Sequence, residues 1–84
     1  MPLVTFTEQA AQGIDGLPKP IKARIAERIV RLAKWPEVSG AKPLAGKLAG
    51  RYRMRTGDYR LQFYVDGEAV VIEQVGHRDG FYEE

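Results

Sequence analysis

Cysteine is absent from all 84 residues, which removes disulfides, thiol nucleophiles and thiolate metal sites together. Histidine occurs once, at His77, too few for a histidine-based metal site. No apolar run approaches the ~20 residues that a transmembrane helix requires, and residues 1–7 lack the basic start and apolar centre of a secretory signal. A cytoplasmic protein with no membrane attachment is therefore expected. Repeats, low-complexity tracts and linkers are missing as well, and 84 residues suffice for one core but not two, so a single domain over 1–84 is expected. Net charge is small, +2 with a pI near 9.1, so any electrostatic function rests on where the charge sits.

The charge sits in one place. Residues 50–65 carry Arg51, Arg53, Arg55 and Arg60 against the single acid Asp58. Arg51 to Arg55 alternates arginine with Tyr52 and Met54, Thr56-Gly-Asp58 reads as a turn, and Tyr59 to Val65 alternates again, so the stretch predicts a hairpin. Side chains on a strand point alternately to opposite faces. Tyr52, Met54, Tyr59, Leu61, Phe63 and Val65 then pack inward, while Arg51, Arg53, Arg55, Arg60, Gln62 and Tyr64 share the other face. Alternating arginine also suits an ordinary half-solvated strand. Such strands usually set acids opposite their arginines, because opposed like charges destabilise a sheet. The surplus of arginine implies a partner that brings negative charge, and the planar guanidinium suits phosphate or carboxylate. A nucleic-acid phosphate and an acidic protein segment both fit.

The remaining chain supplies a scaffold. Leu3 to Phe6 predicts a strand, and Thr7 followed by Glu8 a helix start, with Ala10, Ala11, Ile14 and Leu17 at helical spacing over about Glu8 to Leu17. Gly13 and Gly16 weaken that helix. After Pro18-Lys-Pro20, a second helix places Ile21, Ile25, Ile29 and Leu32 on one stripe and ends at Trp35-Pro36. Its basic side reads as a solvated face, with Glu27 spaced to pair with Arg24 and Arg31. Residues 36–50 read as a loop carrying Lys42 and Lys47 into the hairpin. Asp66-Gly67 predicts a turn into a strand from Ala69, where Val70 and Ile72 share a phase that Val75 does not. A bulge near Gln74 to Gly76 would restore Val75 to the core and bring Arg78 out on the arginine face. The fold class is α+β: an N-terminal strand, two helices, then a three-stranded antiparallel meander.

Pro43-Leu-Ala-Gly46, Gly50-Arg-Tyr-Arg-Met-Arg55, Gly57-Asp-Tyr-Arg60 and Gly76-His-Arg78 followed by Tyr82 resemble the RelE/ParE superfamily of bacterial toxins, and the ending looks like its RelE branch. The resemblance implies a RelE-like fold and the toxin of a type II toxin-antitoxin system that cuts messenger RNA on the ribosome. In that branch the 2′-hydroxyl attacks its own 3′-phosphate, with no metal or other cofactor. By resemblance, Arg53 and Arg55 form a basic pair near the nucleophile, Arg60 clamps the phosphate, Arg78 lies beside the leaving group, and Tyr82 orients or stacks on the RNA. Lys47, Arg51 and His77 complete the candidate substrate-binding residues.

The best-studied RelE-type site has lysines in the basic pair, whereas arginine, with a pKa above about 12, is a poor general base. His77 has the side chain suited to proton transfer near neutrality, yet if Val75 points inward so does His77, and it then reads as a structural histidine. The partners implied are a cognate antitoxin, the ribosome and mRNA, with no sequence-specific DNA binding by the toxin alone. Two alternatives stay open: a ParE-like DNA gyrase inhibitor, and a non-catalytic domain that binds an antitoxin or RNA.

Overall fold

The structure is a computed structural model and describes residues 2–80, so Tyr82 lies outside the described residues. Its elements are β1 (Leu3–Phe6), α1 (Glu8–Asp15), α2 (Lys19–Leu32), β2 (Lys42–Pro43), β3 (Arg51–Thr56), β4 (Tyr59–Asp66) and β5 (Ala69–His77). The five strands form one sheet in the order β1-β5-β4-β3-β2. The α+β class and the meander β3-β4-β5 agree with the sequence reading. Two features extend it: β1 pairs in parallel with β5, from Leu3 opposite Ala69 to Phe6 opposite Ile72, and part of the expected 36–50 loop is an edge strand. Pro43 disguises that strand. Proline gives no N–H to a ladder and reads as a breaker, but an edge position tolerates it.

Both helices pack on one face of the sheet. Ala10 and Leu17 from the α1 side and Ile25 and Leu32 from α2 meet Met54, Leu61, Phe63, Val70, Ile72 and Val75 in a single buried cluster. Helix α1 ends at Asp15, with Gly16 as its cap, slightly earlier than the periodicity predicts. Beside the cluster Trp35 sets its ring edge-on to Tyr52 at 4.8 Å and Phe63 at 5.3 Å. This aromatic contact fixes the connection from α2 to β2 against the hairpin. On the solvent side of α2, Glu27 pairs with Arg28 at 2.7 Å and Arg31 at 3.2 Å, the solvated arrangement expected, although Arg28 stands where Arg24 was anticipated.

The phase slip in β5 is real and lies slightly earlier than expected. Phe63 pairs with Ile72 while Gln62 pairs with Gln74, leaving Glu73 as the extra residue. Beyond it Val75 returns to the core, Gly76 falls opposite Arg60 and His77 opposite Tyr59.

Thr7 ties the first helix to this irregular point. Its Oγ1 accepts a hydrogen bond from the Ala10 N–H at 3.1 Å, capping α1, and donates one to the Glu73 carbonyl at 2.9 Å. Thr7→Ala removes both and should lower stability by about 1 to 2 kcal/mol, measured by denaturant titration. An unchanged midpoint would mean that solvent replaces both bonds without loss.

Candidate functional site

The cationic face is the side of the sheet away from the helices, and register builds it row by row. Lys42 pairs with Arg53, and Arg53 with Gln62; Arg55 stands directly opposite Arg60; Arg51 stands opposite Tyr64. Paired residues project to the same side, so Lys42 joins the arginines. Lys42, Arg53, Arg55 and Arg60, with Gly40, line a cavity of about 270 Å³. Arg53 is only 9% exposed and Arg60 is half-buried, each with its Nε buried, while Arg55 and Lys42 stand at the surface. Among the described residues no carboxylate lines the cavity, and none pairs with Lys42 or Arg55. Four cations converging on a half-open hollow favour an anion with several acceptor oxygens, such as a phosphodiester.

The arginine at the other end of β3 has a different environment. Arg51 Nε donates to Glu73 Oε1 at 2.7 Å, and its guanidinium lies 5.3 Å from the centre of the Tyr64 ring. The same Glu73 oxygen accepts from Gln62 Nε2 at 2.9 Å, and Gln62, 6% exposed, is the cross-strand partner of Arg53. The bulge thus aims a carboxylate at the cationic face and grips its Arg51 end. Arg51 does not line the cavity.

Of the other expected residues, Arg78 follows β5 and folds over the β3–β4 turn. Its backbone N–H donates to the Asp58 carbonyl at 2.8 Å, and its guanidinium, 57% exposed, approaches Asp58 at 3.8 Å and Asp79 at 3.9 Å. It stands at the end of the sheet that carries Arg55 and Arg60, outside the cavity lining. His77 shares the side of Tyr59, opposite the arginines, with the two rings edge-to-face at 5.1 Å. Its Nδ1 accepts from the Asp79 N–H at 3.2 Å. Lys47 is exposed on a short 3-10 turn, Gly46–Leu48, and does not line the cavity. The structure therefore brings Arg53, Arg55 and Arg60 together, holds Arg78 at their margin, and separates Arg51, Lys47 and His77 from the hollow.

Two participants escape sequence reasoning. Lys42 is visible as a basic loop residue, but its side of the sheet becomes clear only once β2 is known to pair with β3. Glu73 lies beyond the hairpin over which the charges were balanced. Its signal is the odd spacing of Ile72 and Val75, which requires one extra residue between them.

A family profile described as the ParE toxin of type II toxin-antitoxin system, parDE, matches residues 4–80. The chain belongs to the ParE toxin family. As a member of that family it is the toxin of a type II toxin-antitoxin system. Toxin RelG of Mycobacterium tuberculosis is 36% identical to it over 81 residues, covering 94% of this chain and 93% of RelG. The crystal structure of the toxin-antitoxin complex RelBE2 from the same organism contains a chain that superposes with a TM-score of 0.77 at 35% identity, over 92% of this chain and 91% of that one. The isolated RelE toxin of Escherichia coli also reaches a TM-score of 0.77, at 19% identity over 100% of this chain and 89% of RelE, a likeness of fold. This ParE-family toxin thus has the RelE-like architecture on which its arginine face is mounted.

Proposed function

We propose that this toxin is a ribosome-dependent endoribonuclease that cuts messenger RNA, restrained by a cognate antitoxin. The observation that carries the reading is the hollow where Arg53, Arg55 and Arg60 converge with no carboxylate among the described lining residues. In the proposed reaction the 2′-hydroxyl gives its proton to solvent, its oxygen attacks the adjacent phosphorus, and the bond from phosphorus to the 5′-oxygen breaks as that oxygen takes up a proton from solvent. The products are a 2′,3′-cyclic phosphate and a 5′-hydroxyl. Negative charge grows on the non-bridging oxygens and on the leaving oxygen, and prearranged guanidinium groups stabilise such charge more in the transition state than in the ground state. Arg60, half-buried in the lining of the hollow, holds the phosphate. Arg53 and Arg55 favour ionisation of the 2′-hydroxyl by their charge, since arginine does not act as a base. Arg78, exposed at the margin, serves the leaving oxygen, and Tyr82 orients the RNA.

Support for an antitoxin partner comes from the RelBE2 relative, itself a toxin-antitoxin complex. A specific observation favours a second reading, inhibition of DNA gyrase: the matching family profile is named for ParE. The two separate cleanly in a cell-free translation reaction with purified toxin. The ribonuclease reading requires that a defined message be cut within translated codons, leaving 5′-hydroxyl ends, and only when ribosomes are present. Intact message together with poisoned supercoiling by purified gyrase would assign the toxin to the second reading.

A further inference from the structure

We infer that Lys42 is a further substrate-contacting residue of the same site, binding a non-bridging oxygen of the scissile phosphate from the β2 side while Arg60 holds it from β4. The inference rests on the ribonuclease reading and adds a residue to it. Three observations carry it. Register opposite Arg53 directs Lys42 to the cationic face, and Lys42 lines the hollow with all three arginines. It is exposed, and no carboxylate pairs with it among the described residues. The short strand that bears it is paired to β3 and held just beyond its end, where the Leu44 N–H donates to the Arg51 carbonyl at 2.9 Å, and the connection leading to it starts from Trp35, packed on Tyr52 and Phe63.

Chemistry assigns Lys42 a part that the arginines do not duplicate. A guanidinium is a planar fork set by its hydrogen bonds, whereas an ammonium on a four-carbon stem is a compact charge able to follow an oxygen as the phosphorus passes through its five-coordinate geometry. The approach is open, because Gly40, on the rim, has φ +87° and nothing within 4 Å of where a Cβ would stand. RNA can therefore reach Lys42 without displacing side chains at that rim position.

The test compares wild type, Lys42→Met and Lys42→Arg as purified full-length toxins in the ribosome-dependent cleavage reaction, across a series of salt concentrations. Lys42→Met should lower kcat/KM about 10- to 100-fold. It should also flatten the dependence of log kcat/KM on log salt by about one unit, the signature of one lost phosphate contact. Lys42→Arg keeps the charge and should recover all of the slope but only part of the rate, and unchanged thermal midpoints would exclude unfolding. A Met variant equal to wild type in rate and slope overturns the role of Lys42 alone, as does an Arg variant as impaired as the Met variant. A wild-type toxin that cuts nothing overturns the ribonuclease reading and this inference together.

Discussion

Arg60→Ala should lower message cleavage by about 10²- to 10³-fold and abolish growth arrest, while the protein remains folded. The magnitude is that of removing one prearranged donor from a site of developing negative charge. The position of Arg60 explains why it should matter more than its neighbours. It stands on an interior strand of the sheet, its Nε is buried, and it lies directly opposite Arg55 and across from Gly76, where no side chain competes for the space. Arg51 is held by Glu73 and Tyr64 away from the hollow, so Arg51→Ala should cost stability more than rate. Folding tolerates the loss of Arg60 because the core lies on the other face, built from Leu61 and Phe63 on the same strand. Cleavage kinetics and thermal unfolding, measured on the same preparations, check both halves. An Arg60→Ala toxin that cuts at the wild-type rate would remove the phosphate clamp from the proposal.

Gly13→Ala should destabilise the toxin by about 2 to 4 kcal/mol, even though alanine is the better helix former by about 1 kcal/mol. Local propensity and tertiary contact make opposite predictions here, and the geometry decides between them. A Cβ on Gly13 would overlap the Val75 carbonyl oxygen and lie 3.1 Å from the Val75 carbonyl carbon. Both obstacles are backbone, so no rotamer change relieves them. The close approach arises because β1 pairs only with Ala69 to Ile72, and α1 takes its place alongside the rest of β5. Gly16 is the control. It has φ −84°, and its nearest neighbour, the Gln12 carbonyl oxygen, would lie 3.8 Å from an added Cβ, so Gly16→Ala should be neutral or stabilise by about 0.4 to 1 kcal/mol. At about 4 to 8 °C per kcal/mol, the Gly13 substitution should lower Tm by roughly 10 to 30 °C. That is a large part of the roughly 4 to 13 kcal/mol expected for a domain of this size. A Tm that rises for both variants would show α1 to be displaced from β5 at no cost.

The arginine hairpin was legible because two local rules agree in it: the strict alternation of apolar and cationic residues, and the Gly57-Asp58 turn. The inward phase of His77 followed from Val75 by parity, and the structure places His77 on the side of Tyr59. What escaped depends on pairing between segments distant in sequence. Lys42 belongs to the face only through its register with Arg53, in a strand whose proline argues against it. Glu73 reaches Arg51 only because a bulge turns it there, and this corrects the charge balance drawn from the hairpin alone: the fold brings a carboxylate from β5 to the Arg51 end of the face. Gly13 looked like a weakness in a helix, whereas its missing side chain is what lets α1 seat on β5.

The central claim is that the hollow between β2, β3 and β4 cuts RNA, and mapping RNA 5′ ends after inducing this toxin alone in bacteria tests it most directly, beside the Arg60→Ala, Arg78→Ala double variant. New 5′ ends inside translated codons, present with wild type and missing with the double variant, are the predicted result. Growth arrest with intact messages and a DNA-damage response would contradict it.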